Sequence, residues 1–256
     1  MTTWQKDRPG APEGFFEAEA AGLAWLAEAT PRGGAAVVAV LDVAPGRIEL
    51  ERVPEQRPGQ EAARAFGRAL AVTHAAGAAA FGAPPDGWAG PCFIGQRPLS
   101  TRPEDSWGRF WAEQRVLPYA RTAVGAGNLD AAGLEVVERA CAVLASGALD
   151  DDEPPARVHG DLWTGNVLWS PEGVVLIDPA AHGGHRESDL AMLELFGCPH
   201  LHEVVAGYEQ EAPLAPGRAE RVPLHQLHPL AVHAAGHGPA YGAALVRAAE
   251  AVLRLA

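Results

Sequence analysis

Cysteine is scarce in this sequence of 256 residues. Cys92, Cys141 and Cys198 are odd in number, far apart and without a CxxC spacing, which excludes a disulfide framework and a thiolate metal site. Reduced thiols in a cytoplasmic protein are expected. Basic residues are also short, with 20 Lys and Arg against 32 Asp and Glu and a net charge of −12. Nucleic-acid affinity is driven largely by Lys and Arg releasing counterions, so no nucleic-acid partner is expected. Long apolar runs are missing as well. The opening Met1–Lys6 segment has no signal-peptide core and no later segment reaches the length of a membrane span, so the expectation is a soluble, intracellular protein with no membrane partner. What the chain does hold is apolar residues, 48% against 20% charged, enough for a sizeable core.

The apolar positions of Gly14–Glu28, among them Phe15, Phe16, Leu23 and Leu26, fall near one helical face between Pro12 and Pro31, and predict a helix. Val37–Val43 and Arg47–Val53 are β-branched runs separated by Ala44-Pro45-Gly46, which predicts a small antiparallel sheet beside that helix. Further helices are expected over Gln60–Ala80, Ser106–Arg121 and Asp130–Ala148, with an irregular, Pro- and Gly-rich connection over Ala83–Arg102. After the acidic Asp150–Glu153 stretch come three short strands, Arg157–His159, Asn166–Trp169 and Val174–Ile177; helices return from about Leu190. No internal repeat or low-complexity linker marks off independent domains.

The chemistry concentrates in that strand-rich stretch. Phosphoryl transfer needs a carboxylate to orient the acceptor hydroxyl and oxygen ligands for Mg²⁺ on the phosphates, and little covalent work from the protein. The run VHGDLWTGNVLW, Val158–Trp169, places Asp161 in a loop after a short strand and Asn166 five residues later, the D-x-x-x-x-N spacing of a kinase catalytic loop. Twelve residues beyond Asn166, the strand VVLI ends on Asp178-Pro179, a carboxylate at a strand terminus suited to a second metal ligand. An isolated H-G-D or I-D-P is more often a turn than a site. Asp, Asn and Asp in this order on successive strand ends are a phosphotransferase pattern.

With those residues in hand, HGDLWTGNVLW, IDPAAHGGHRESDLAMLELFG and LHQLHPLAVHAAGHG resemble successive signatures of the fructosamine and ketosamine kinases, relatives of the aminoglycoside phosphotransferases. Lys6–Leu26, Leu70–Gly82 and Ile94–Arg115 are similar to the same family, so the resemblance covers nearly the whole chain. It implies an α+β, protein-kinase-like fold of two lobes with ATP between them: residues 1–55 as a partial N-terminal lobe and 56–256 as a mainly helical catalytic and substrate-binding lobe. The resemblance further implies Asp161 as catalytic base, Asn166 and Asp178 as Mg²⁺ ligands, and Trp163 beside the sugar-amine acceptor. By the same resemblance Lys6 contacts the ATP phosphates and Glu19 holds Lys6, although on the residues alone Lys6 reads as a solvated terminal lysine. Glu51 and Val53 would be the hinge that meets adenine. His159 and Asp189 would support the catalytic loop, Asp189 with a helix N-cap role as its alternative. The implied reaction is ATP-dependent phosphorylation of a free or protein-borne ketosamine, at the sugar 3-hydroxyl, in the repair of glycated amines.

The departure from the family pattern lies before Lys6. A Gly-rich hairpin precedes the lysine strand in this fold, whereas only five residues precede Lys6 here. A reduced N-terminal lobe and weak ATP binding by the 256-residue chain are the expectation, with a strand–turn–strand segment encoded upstream. Three other functions compete. His182, His185, His200 and His202, and then His225, His228, His233 and His237, invite a zinc hydrolase, although no HExxH occurs. A degenerate kinase acting as a binding module and an aminoglycoside- or choline-type kinase are the others.

Overall fold

The computed structural model describes residues 2–256. Strand β1 (Thr3–Asp7) is followed by helix α1 (Phe15–Ala27), the short strand β2 (Ala36–Val37), and strands β3 (Val40–Ala44) and β4 (Arg47–Glu51). β1, β4 and β3 form an antiparallel sheet in that spatial order, with Thr3 opposite Glu51 and Lys6 opposite Ile48. Alternation along β4 sends Ile48 and Leu50 into a core with Phe16 and Leu23 of α1. This core is the amphipathic logic anticipated from the sequence. The run expected as one strand over Val37–Val43 is instead split, because Ala36–Val37 leaves this sheet to pair in parallel with strand β9 (Gly173–Leu176). That pairing ties the first sheet's connection to the strands that carry Asp178.

Helix α2 (Gln60–Ala75) crosses helix α7 (Leu201–Glu211), where a Cβ on Gly67 would lie 1.9 Å from the Val204 carbonyl and one on Gly207 would lie 2.0 Å from that of Arg64. Only glycine admits so close an approach. The connection expected to be irregular contains a hairpin, β5 (Cys92–Ile94) and β6 (Arg97–Leu99), whose pairing is fixed by packing against α1 and the helical core. Helix α3 (Trp107–Phe110) passes through a π-turn, Trp111–Val116, into α4 (Leu117–Gly125). Pro118 has no N–H for the Gln114 carbonyl, and the wider turn just before it absorbs the break. Helix α5 (Ala131–Ala145) follows.

Strand β7 (Ala156–Val158) pairs antiparallel with β10 (His182–Gly184), and β8 (Val167–Ser170) pairs with β9 in a hairpin. The sequence reading lacked β10, whose residues His182-Gly-Gly carry no strand propensity. Helices α6 (Arg186–Leu195), α8 (Arg218–Ala234) and α9 (Pro239–Leu253) complete a mainly helical part, in which Leu227, Leu245 and Val252 are fully buried. No helix of the described residues is long and apolar enough to cross a membrane.

Candidate active site

The loop between β7 and β8 is built on two backbone amides and one carboxylate. Asp189, on α6, accepts hydrogen bonds from the N–H of His159 (2.7 Å) and of Gly160 (3.0 Å), and its Oδ2 also meets His74 Nε2 from α2 at 3.1 Å. Burial alone would raise the Asp189 pKa; the hydrogen bond and charge of His74, with the His159 amide, overcome it and hold the pKa below the ordinary carboxylate value. Asp189 does not cap α6. That place is taken by His185, whose Nδ1 accepts from the Glu187 N–H at 3.1 Å. Gly160 has φ +80°, and a Cβ there would lie 2.3 Å from the Ala180 carbonyl and 2.9 Å from the His182 ring, so the turn admits no side chain.

His159 is buried, and burial lowers its pKa; the neutral ring donates from Nε2 to the Ile177 carbonyl (2.9 Å) and accepts at Nδ1 from the Asp161 N–H (3.2 Å). The loop is thereby held at both ends of the imidazole. Asp161 follows, its pKa pushed up to about 7 by burial, with the carboxylates of Asp178 and Asp189 adding to the shift against the hydrogen bond from Asn166. Asn166 ends a 3-10 turn over Thr164–Asn166, and its Nδ2 faces three acceptors: the Asp161 carbonyl (2.8 Å), Asp161 Oδ2 (3.3 Å) and the Asp178 carbonyl (3.4 Å). Those contacts orient the amide and leave its oxygen as a free acceptor.

Asp178, just past β9, has φ +54°. A non-glycine residue in the left-handed region stores about 1 kcal/mol or more, a cost found where side-chain direction matters. Its carboxylate pairs with the Nζ of Lys6, and Lys6 Nζ also donates to Glu19 Oε1 at 2.7 Å. Burial works against the Lys6 ammonium, but the Glu19 and Asp178 carboxylates outweigh it and raise its pKa. Glu19 shifts upward too, because burial exceeds the help Lys6 gives. Lys6 is thus no solvated terminal lysine. It is the only lysine in the sequence, a signal that the residue count alone could have supplied.

A cavity of about 490 Å³ opens beside these groups, lined by Lys6, Glu19, Asp161, Trp163, Asn166 and Asp178, and also by Arg8, Phe15 and Phe93. The Trp163 ring is 41% exposed and meets Phe196 edge-on at 6.2 Å. Glu51 and Val53 do not line this cavity. Glu51 lies exposed at the end of β4 with its N–H on the Ala39 carbonyl, and Val53 packs partly buried against the core of the first sheet. Aromatic residues Phe15 and Phe93 were not anticipated at the site, since only the tertiary packing brings α1 and β5 to one opening.

The histidines pair at most two by two, the His185 and His225 rings 4.6 Å apart and those of His233 and His237 5.0 Å apart. His225 Nδ1 meets Ser188 Oγ at 3.1 Å, His228 Nδ1 meets the Arg115 carbonyl at 2.7 Å, and His182 Nδ1 meets the Ala180 carbonyl at 2.7 Å. Among the described residues, no group of three or more His, Cys, Asp or Glu could hold a metal ion. Buried rings with a single backbone or hydroxyl partner are satisfied core histidines.

A loop with Asp161 and Asn166, a strand-end aspartate and a lysine held by a helix glutamate define the protein-kinase-like class of phosphotransferase folds. Solved structures of that class superpose on the chain: an aminoglycoside phosphotransferase in complex with ADP and hygromycin B has a TM-score of 0.60 at 13% identity, covering 92% of this chain and 82% of that one, a likeness of fold alone. The chain belongs to the fructosamine kinase family, whose family model matches residues 6–255. A Thermobifida fusca protein provisionally designated a fructosamine-3-kinase superposes with a TM-score of 0.90 at 46% identity over 98% of this chain and 85% of that one. A relative from Thermus thermophilus named "Probable ketoamine kinase" is 34% identical over 241 residues, 94% of this chain and 83% of the relative. The match to the Escherichia coli K12 protein of the same designation, 37% identical over 141 residues, spans 52% of this chain and about half, 46%, of that relative's length.

Proposed function

We propose that this chain transfers the γ-phosphoryl group of ATP to a ketosamine, at the sugar 3-hydroxyl, and so serves the repair of glycated amines in the cytoplasm. One observation carries the reading: Asp161, Asn166 and Asp178 line the same cavity as the Lys6–Glu19 pair and Trp163. Asp161 would orient the acceptor hydroxyl and take its proton. The Asn166 amide oxygen and the Asp178 carboxylate are an all-oxygen donor set that fits Mg²⁺, which when bound would neutralise charge on the phosphates. Lys6, kept in place by Glu19, would hold the α- and β-phosphates, and the adenine would extend beyond this cavity to the backbone at Glu51 and Val53. His159 and Asp189 would hold the loop rigid around Asp161.

We take residues 1–55 as the partial N-terminal lobe and 56–256 as the catalytic and substrate-binding lobe, in keeping with the end of β4 at Glu51 and the start of α2 at Gln60. The test is incubation with Mg·ATP and a panel of ketosamines, aminoglycosides and choline, with the phosphorylated position located by NMR. Phosphate on the ketosamine 3-hydroxyl supports the reading. Transfer to aminoglycosides or choline in preference, or to none of the panel, overturns it.

Two expected outcomes follow from the assigned roles. Asp178→Ala removes a charged metal donor and one partner of Lys6, so Mg²⁺-dependent ATP binding should be lost along with turnover; titration calorimetry with and without Mg²⁺ reads this, and unchanged Mg·ATP affinity would make Asp178 structural. Trp163→Ala should raise KM for the ketosamine several-fold more than KM for ATP, because the exposed ring offers a flat face to a sugar or its amine-borne carbons. If both constants worsen together with a lowered Tm, the ring merely packs the loop.

A further inference from the structure

Arg8 has no place in the chemistry above, and its position follows from the register of β1. The strand starts beside the hinge, with Thr3 opposite Glu51, and carries Lys6 about 10 Å further along at about 3.3 Å per residue. Arg8 lies another two residues on. If adenine meets Glu51 and Val53 and the phosphates meet Lys6, the direction of β1 passes from base to phosphates to acceptor, and Arg8 stands on the acceptor side. Its backbone is pinned there, the N–H donating to the Gly46 carbonyl at 2.8 Å and the carbonyl accepting from the Ala11 N–H at 3.0 Å.

The side chain lines the same cavity as Asp161 and Trp163. Its guanidinium lies 5.3 Å from the centroid of the Phe15 ring, and Phe15 in turn lies 5.3 Å from Phe93 across the opening. Stacking on an aromatic face orients a guanidinium and leaves its N–H fork free for a planar anion. Among the described residues no carboxylate pairs with Arg8, and the adjacent Asp7 accepts from the Gln5 amide at 2.8 Å. A cation without a counter-ion, set against an apolar aromatic wall, matches a group that is anionic at one point and hydrocarbon beside it.

We infer that Arg8 is a specificity-determining residue that selects ketosamines whose amine part bears a carboxylate, the adducts of free α-amino acids, with Phe15 and Phe93 against the amino acid's side chain. This rests on the ketosamine kinase reading. The experiment uses a matched pair of acceptors, the glucose ketosamines of leucine and of 3-methylbutylamine, which differ only in the carboxylate. Affinity is measured by calorimetry and kcat/KM by coupled assay, for the wild-type chain, Arg8→Ala and Arg8→Lys. A charge-assisted hydrogen bond is worth about tenfold or more, so the wild-type chain should favour the leucine adduct by about that factor, Arg8→Ala should bring the ratio to about one, and Arg8→Lys should fall between. A wild-type ratio of one overturns the inference, as does a loss in Arg8→Ala that is equal for both acceptors or that appears in KM for ATP. If neither adduct is phosphorylated, the kinase reading fails, and the affinity ratio still decides the role of Arg8.

Discussion

Asp161→Asn is expected to lower kcat by at least about a hundredfold while leaving Mg·ATP affinity close to that of the parent chain, because a positioned base acts mainly in the transition state. The substitution is nearly isosteric. The loop around it does not depend on the Asp161 carboxylate: the Asn166 amide also meets the Asp161 and Asp178 carbonyls, and His159 receives the Asp161 backbone N–H. The fold and the nucleotide contacts therefore have no reason to change. Steady-state kinetics beside nucleotide titration reads both quantities, and turnover within a few-fold of the parent would remove Asp161 from the role of base.

Asp189→Ala should be strongly destabilising while leaving the cavity lining intact. It strips a buried carboxylate from two backbone amides and from His74, and removing one partner of such a buried arrangement costs about 3–5 kcal/mol. For a chain of this size that is about 6–20 °C in Tm. The pH dependence has a definite sign. The Asp189 pKa is lowered in the folded state, so its stabilisation is fully present above the unfolded carboxylate value near 4 and is lost as pH falls through the lower, folded value. The gap in Tm between the parent and Asp189→Asn should hold from neutral pH down to about pH 4 and narrow below it. A gap that stays constant under more acid conditions would mean that the charge of Asp189 contributes nothing.

Much of the site was legible because its residues are close in the chain. Asp161, Asn166 and Asp178 lie on consecutive strand ends, and a hairpin holds such neighbours together whatever the rest of the molecule does. Lys6 was legible only through resemblance, since it lies 172 residues from its partner Asp178 and no periodicity links them. The N-cap alternative for Asp189 was reasonable locally, yet His185 holds that place, and the Asp189 carboxylate is drawn instead to the His159 and Gly160 amides of the loop that follows β7. Propensity also failed at β10, where pairing with β7 imposes an extended backbone on residues that do not favour it.

The sequence by itself determined the amphipathic helices, the β8–β9 hairpin and the order of carboxylate, amide and carboxylate, because periodicity and short spacing act within a few residues of chain. Tertiary structure decided the rest. It alone set the ammonium of Lys6 between Glu19 and Asp178, placed Arg8 and Phe15 across from Phe93, and left the histidines in pairs and single contacts rather than around one metal position. Those arrangements join elements distant in sequence, where burial and charge pairing in the packed molecule, rather than local pattern, determine which groups meet.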